Sequence, residues 1–433
     1  MKLYLGIAKA DITPKIGTVL YGYGGGAGST GVNDGLNVTA FVFEQGDVRC
    51  AFITADLVAV GWELGNDARN AISRETGIPF DNIMICCTHT HTGPATKFSP
   101  GWGDVDRDAC YGIFLPRLVE AVKEANSNKV PVKVGYATGE SFVGSNRREW
   151  TPDGDVTLGQ NPWGCFNPKM TVVSFKNEDD KIIGAIIHYG MHGTAAGHCD
   201  KISRDWMGVM VDALSNVIGA PAAFFNGPEG DVGPRLSNGC TTGNGDIKYI
   251  YEIGNKAAAD AISIFNKISE YREVDFAYKY SPVKMPVDKR IPLEEAEKMV
   301  EQHNTLSKTG MNARKLWHYN MVIDSYKDGY EDKEFDYIPQ HVLRIGDIVF
   351  VTAPYEVFSE IGLRVQKDIG FPLVLMCVNT NGTEAYFPTC QELLRGGYEI
   401  VHFKLQRLQQ FTEPADNSYI KGIIENVKSI CEE

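Results

Sequence analysis

The chain is predicted to fold as an α/β protein of mixed α+β type, with layers of sheet and helix. Two observations carry this. Short apolar runs of strand length recur along the whole chain, and longer segments of helical character separate them. No internal repeat or low-complexity tract interrupts the pattern. All of residues 1–433 are read as one domain.

The opening residues Met1-Lys2-Leu3-Tyr4-Leu5-Gly6 run straight into a strand-like segment. Further strands are expected at 38–44, 50–55, 82–87, 132–137, 170–176, 181–188, 222–225, 342–345, 348–352 and 372–379. Helices are expected at 63–77, 111–127, 205–218, 247–268, 293–308 and 356–369. The stretch 274–333 differs, being charged and helical after a hydrophilic strand at 275–287. It reads as a lid-like subdomain inserted before the last strands.

Composition narrows the class. Hydrophobic residues at 43% and charged residues at 22% are ordinary for a soluble globular protein. The net charge of −13 argues against nucleic acid and anionic membranes as standing partners. No run of about 18 apolar residues exists to form a transmembrane segment. The N-terminus shows no signal peptide, and the 10 cysteines show no regular framework. A cytoplasmic location with free thiols is the expectation. Oligomeric state is not legible.

Two glycine-rich stretches are set aside. Gly22 to Gly28 imitates a dinucleotide fingerprint, but turn residues follow it instead of a helix. Gly227 to Pro234 lacks the Gly-Lys-Ser/Thr of a phosphate cradle. It leaves the 222–225 strand at its end, where α/β sites form, and is a candidate substrate wall.

The most informative stretch is Thr88-His89-Thr90-His91-Thr92-Gly93-Pro94. It follows a buried-looking strand, and residues two apart on a strand share a face. His89 and His91 should therefore emerge side by side at the strand end, as metal ligands or proton carriers. The other reading is two surface histidines on a loop. A second strand end leads into His188-Tyr189-Gly190-Met191-His192-Gly193-Thr194. The His-x-x-x-His spacing suits a zinc-protease helix only superficially, since Tyr189 stands where the general base belongs and the glycines weaken a helix. His192 is the candidate ligand, and His188, inside the apolar run, reads as a core residue. Glu356, after an apolar strand and the turn Ala353-Pro354-Tyr355, is either a ligand or a first-turn helix carboxylate.

Taken together, the segments resemble the catalytic domain of the neutral/alkaline ceramidases, zinc amidases that split N-acylsphingosine. The resemblance runs in order through Gly6–Pro14, Thr88–Pro94, Ser145-Asn146-Arg147, Met191–Thr194, Ile202–Gly208, Asn226–Pro234, Ala353–Phe358 and Asn381–Tyr386, with Tyr398 beyond. It implies a ceramidase-like layered fold without the family's C-terminal immunoglobulin-like domain. It also implies Zn²⁺ held by His89, His192, Glu356 and Tyr386, with His91, Arg147 and Tyr398 as catalytic residues. Arg148 competes with Arg147 for that role. In isolation, either tyrosine would read as a packing residue.

The loop Gly230-Asp231-Val232-Gly233-Pro234 departs from the family, which carries a substrate-touching serine where Gly233 stands. Asp231 and Gly233 are nevertheless the positions implied to border the substrate. The function expected is hydrolysis of a linear amide, ceramide-like or a smaller N-acyl compound. Two alternatives stay open: a catalytically altered binding or scaffold protein, and another His-x-His metallohydrolase of amidohydrolase or metallo-β-lactamase type.

Overall fold

The computed structural model describes residues 1–23 and 28–431. Part of the glycine-rich stretch from Gly22 to Gly28 therefore lies outside the described residues. Eight strands form the principal sheet, in the order Ala222–Asn226, Ile182–Tyr189, Lys169–Lys176, Val130–Glu140, Leu3–Asp11, Asn37–Gln45, Val48–Ala55 and Ile83–Cys87. Only the outermost pair at each edge is parallel. A barrel of parallel strands, as the amidohydrolase alternative needs, is not formed. A second sheet orders Phe276–Tyr280, His341–Ile345, Ile348–Thr352 and Leu373–Cys377, the last pair parallel.

Side-chain alternation sorts these strands into layers. In Asn37–Gln45, Val38, Ala40 and Val42 meet the helices Trp62–Thr76 and Leu115–Ser127, while Phe41 and Phe43 point the other way. The inward face packs on the second sheet: Phe52 stacks on Phe225 at 4.1 Å and meets Phe350 at 5.2 Å. Helices Asp205–Ile218 and Lys248–Phe265 cover the other half of the principal sheet. Helices Ser359–Ile369 and Ala415–Cys431 cover the far face of the second sheet. The result is helix, sheet, sheet, helix, the layered α/β architecture expected.

Several expected boundaries shift. The hydrophilic strand at 275–287 is two strands, Phe276–Tyr280 and Val283–Pro286, separated at Ser281-Pro282 and paired in different sheets. The first of these belongs to the second sheet, so the helical excursion is narrower than 274–333. Within it, Leu293–Asn304 and Gly310–Lys327 form two helices. The helix expected from 356 begins instead at Ser359. Glu356 and Val357 are extended because they pair in parallel with Tyr386 and Phe387.

Candidate metal centre

Five chain segments leave strand ends at one corner of the molecule, where the two sheets meet. Asn226 ties them together. Its Nδ2 donates to the Thr88 carbonyl (3.1 Å), its Oδ1 accepts from the Met191 amide (3.2 Å), and its backbone carbonyl accepts from the Val378 amide (3.1 Å). Asn381 is stitched to the neighbouring strand, since its Oδ1 accepts from the Ile85 amide at 2.8 Å. Such a corner, at the carboxyl ends of strands, is where open α/β sheets build sites.

His89 and His91 do lie together, with ring centroids 4.9 Å apart, but strand alternation is not the cause. The strand ends at Cys87, and His89 takes φ 67°, in the left-handed region. That conformation is uncommon and costly for a non-glycine residue. Its amide donates to the Leu57 carbonyl (2.9 Å) and His91's amide donates to the Gly193 carbonyl (3.1 Å), which hold the turn in place. A Cβ at Gly193 would lie 2.6 Å from the His89 carbonyl oxygen, so only glycine permits this approach. Likewise, a Cβ at Gly22 would strike the His91 ring.

The two candidate ligand histidines are locked alike. Nδ1–H of His89 donates to the Val58 carbonyl (2.8 Å), and Nδ1–H of His192 donates to that of Glu229 (2.9 Å). Trp206 Nε1 donates to the His192 carbonyl (2.9 Å), and Asp205 accepts from the amides of Ala195 and Ala196 just beyond. Both rings therefore present a bare Nε2 inward, the outer-sphere pattern that orients metal-binding imidazoles. These Nε2 atoms lie 3.4 Å and 3.2 Å from Oε2 of Glu356. His192 Nε2 and Glu356 Oε2 are buried and have no hydrogen-bond partner among the described residues. Close donors without hydrogen-bond geometry fit a shared metal ion.

Electrostatics agree. Burial alone would raise the Glu356 carboxyl, but His89 and His192 outweigh it and hold it well below the usual range. Burial drives His192 down to about 3, whereas Glu356 overcomes burial and raises His89.

Tyr386 stands beside Glu356 in the short parallel pair, and its ring lies 6.4 Å from that of His192. Arg147 Nη2 donates to its hydroxyl at 3.0 Å. The register of Gly144–Trp150 against Val156–Asn161 shifts between Asn146 and Arg148, and the two competing arginines share Glu399 but differ in their other partners. Arg148 is spent on Glu392, Glu399 and the Gly396 carbonyl, at 2.8, 2.6 and 2.6 Å. Tyr398 lines the same cavity as His89, His91, Glu356 and Tyr386.

Asp231 and Gly233 sit a layer back, and neither borders this cavity. Asp231 Oδ1 accepts from the Ser359 amide (2.7 Å), and its Oδ2 from Asn146 Nδ2 and Ser359 Oγ (3.2 Å each). These bonds tie its loop to Gly144–Trp150 and to the start of the helix Ser359–Ile369. Gly233 directs its absent side chain at Thr241, whose Cβ lies 2.6 Å from where a Cβ would stand.

Two buried carboxylates were not singled out from the sequence. Glu229 lies with His89 and Glu356 in a second group whose ligand atoms fall within 4.8 Å of one another. Asn379 Nδ2 donates to its Oε1 at 2.6 Å, while Oε2 has no partner among the described residues. Glu399 joins Arg147 to Arg148. Glu229 was readable, as an acid in a Gly-Pro-Glu-Gly turn after a buried strand; Glu399 carried no signal.

The family model described as neutral/alkaline non-lysosomal ceramidase, N-terminal, matches residues 3–251. The neutral ceramidase of Mycobacterium tuberculosis is 26% identical over 267 residues, covering 54% of this chain and 40% of that protein. That of Pseudomonas aeruginosa is 23% identical over 299 residues, covering 64% and 44%. The chain spans less than half the length of these relatives in the matched alignments. In three dimensions, the crystal structure of the Pseudomonas aeruginosa neutral ceramidase superposes with TM-score 0.75 at 19% identity, over 99% of this chain and 75% of that one. A ceramidase complexed with C2 gives 0.72 at 17% identity, over 99% and 76%. With the matched span running from the first strand through the histidine turns and the Asp231 loop, the chain belongs to the neutral/alkaline non-lysosomal ceramidase family.

Proposed function

We propose that the protein is a zinc-dependent amidase that hydrolyses a linear N-acyl bond, ceramide-like or smaller. The observation that carries this reading is the meeting of His89 Nε2 and His192 Nε2 on one Glu356 oxygen, within 3.4 Å, in a buried pocket. His89, His192 and Glu356 would hold the ion, with Tyr386 as the fourth protein ligand. A divalent ion held there would supply an acidified water, its pKa lowered from about 15.7 to near 7, and polarisation of an acyl oxygen.

The chain's own residues supply the rest. Among the described residues the Nδ1 of His91 has no hydrogen-bond partner, and its Nε2 lies 3.2 Å from that of His89. Burial and the neighbouring imidazoles depress its pKa, which favours the neutral ring. His91 takes a proton from the attacking water and returns it to the leaving amine. Arg147, held by Glu399 at 2.9 Å, aims its remaining N–H groups at the acyl oxygen as negative charge develops there. Tyr398 makes no hydrogen bond among the described residues and can donate to the same oxygen. Water adds across the C–N bond, giving a carboxylate and an amine.

A compact N-acyl compound is the proposed preference over long-chain ceramide. The larger cavity beside the site is about 320 Å³, at the low end for small-molecule pockets. The test is a hydrolysis screen of N-acyl amides of graded chain length on protein of measured zinc content. Release of fatty acid and amine should stop on chelation and return with zinc. Protein carrying zinc near one per chain that cleaves no amide of any length would end the proposal.

A further inference from the structure

The cavity of about 320 Å³ shares Lys97, Ser99, Arg314, Thr383 and Glu384 with the smaller one onto which His89, His91, Glu356 and Tyr386 open. The two are adjoining parts of one path. Arg314 comes from the helix Gly310–Lys327 of the excursion and is only 8% exposed. Its Nε is buried without a partner, and Arg314 makes no ion pair, hydrogen bond or ring contact among the described residues. The contrast with its neighbours is sharp: Arg147 is held by Tyr386 and Glu399, and Arg148 by Glu392 and Glu399. A buried guanidinium with no counter-charge is expensive to maintain unless something pairs with it.

A second cation faces the same space. Lys97 donates to the carbonyls of Thr383 and Glu384, 2.8 Å each, and meets no carboxylate at ion-pair distance. Burial first, and then the field of Arg314, lowers its pKa to about 8. Of the two acids whose field reaches Lys97, Glu356 is engaged by His89 and His192, and Glu384 by Trp62 Nε1 at 3.1 Å. Positive charge therefore exceeds negative where the two cavities join, while Trp62, Phe98 and Trp317 provide apolar wall.

We propose that this path selects amide substrates carrying an oxoanion, a carboxylate above all, which pairs with Arg314 and Lys97. The proposal rests on the amidase reading. A guanidinium fork matches a carboxylate in two parallel hydrogen bonds. A neutral lipid amide would enter the same space and leave both cations unpaired, and sites with buried polar groups discriminate against such ligands.

Two substrate pairs test this on zinc-verified protein. N-octanoylglycine against N-octanoylethanolamine puts the carboxylate on the amine arm. The mono-ethylamide of nonanedioic acid against the ethylamide of nonanoic acid puts it on the acyl arm. In one pair at least, kcat/KM for the anion should exceed that for its neutral partner by roughly tenfold to a hundredfold. Arg314→Gln should bring that ratio towards one, and Arg314→Lys should keep part of it. A ratio of one or less in both pairs overturns the proposal, as does a ratio that Arg314→Gln leaves intact. Should a thermal melt show Arg314→Gln unfolded, the wild-type and Arg314→Lys ratios decide. If zinc-loaded wild type cleaves none of the four, the amidase reading fails separately. Quenching of Trp62 and Trp317 fluorescence then reads the anion site: tighter binding of N-octanoylglycine than of N-octanoylethanolamine supports it, and equal binding overturns it.

Discussion

Nη2 of Arg147 donates to the hydroxyl of Tyr386 at 3.0 Å, and both groups are buried. The contact couples the residue proposed to stabilise charge with the one proposed as an ion ligand. Burial and Glu356 raise the phenol's pKa well above its ordinary value, and Arg147 opposes them.

Arg147→Gln is therefore expected to lower kcat by about 10²–10³-fold, as loss of an oxyanion donor does. Tyr386→Phe should also weaken zinc binding. The double variant should lose less than the product of the two single losses, because the groups act through one hydrogen bond. Steady-state kinetics with zinc quantified for each variant checks this, and strictly multiplicative losses would show that the two act independently.

The two histidines of the 88–94 turn should separate by metal content. His89→Ala removes an imidazole whose Nδ1 is locked and whose Nε2 faces Glu356 at 3.4 Å, so zinc and turnover should both fall. His91→Ala should keep zinc near one per chain and lose turnover by ~10²–10⁴-fold. Elemental analysis of the dialysed proteins decides. Equal loss of zinc would make His91 a third imidazole ligand, a role that its grouping with His89 and His192 also permits.

How much of this was legible depended on how local each cause was. Strands such as Ile348–Thr352 and the helix Asp205–Ile218 were readable because burial on one or both faces writes itself into consecutive residues. The helix Gly310–Lys327 was not, since its buried residues Arg314, His318, Val322 and Ser325 include three polar ones. His89 and His91 were legible as a pair, but the left-handed turn at His89 was not, because distant carbonyls impose it. Glu356 illustrates the same limit. Its strand pairing comes from Tyr386, thirty residues away, and overrides the helical pattern around it.

Gly233 is expected to matter more for packing than for contact with substrate. Its strand Val232–Pro234 pairs with Gly144–Asn146, and a Cβ there would lie 2.6 Å from that of Thr241. Restoring the family's serine by Gly233→Ser should cost about 1–3 kcal/mol, the usual penalty for overfilling a packed site. Denaturant unfolding would show it as a lower midpoint. Adding Thr241→Gly should recover part of the loss by making room. A stable Gly233→Ser with the wild-type midpoint would mean that the loop yields freely.

The last prediction concerns Glu399, whose two oxygens bridge both arginines: Oε1 to Arg147 at 2.9 Å and Oε2 to Arg148 at 2.6 Å. All three residues are buried, with Glu399 at 0% exposure, so solvent cannot replace the carboxylate. Removing one member of a buried ionic group leaves uncompensated charge and typically costs about 3–5 kcal/mol. Glu399→Gln keeps the shape and removes the charge, so its midpoint of unfolding should fall by an amount of that order. Arg148→Met should be less harmful in the Glu399→Gln background than in wild type, since it removes a cation that has lost its partner. Arg147 adds a second readout: freed from Glu399, it should hold Tyr386 less firmly, so kcat should drop at unchanged zinc content. Loss of stability with kcat intact would confine Glu399 to the architecture and detach it from the alignment of Arg147.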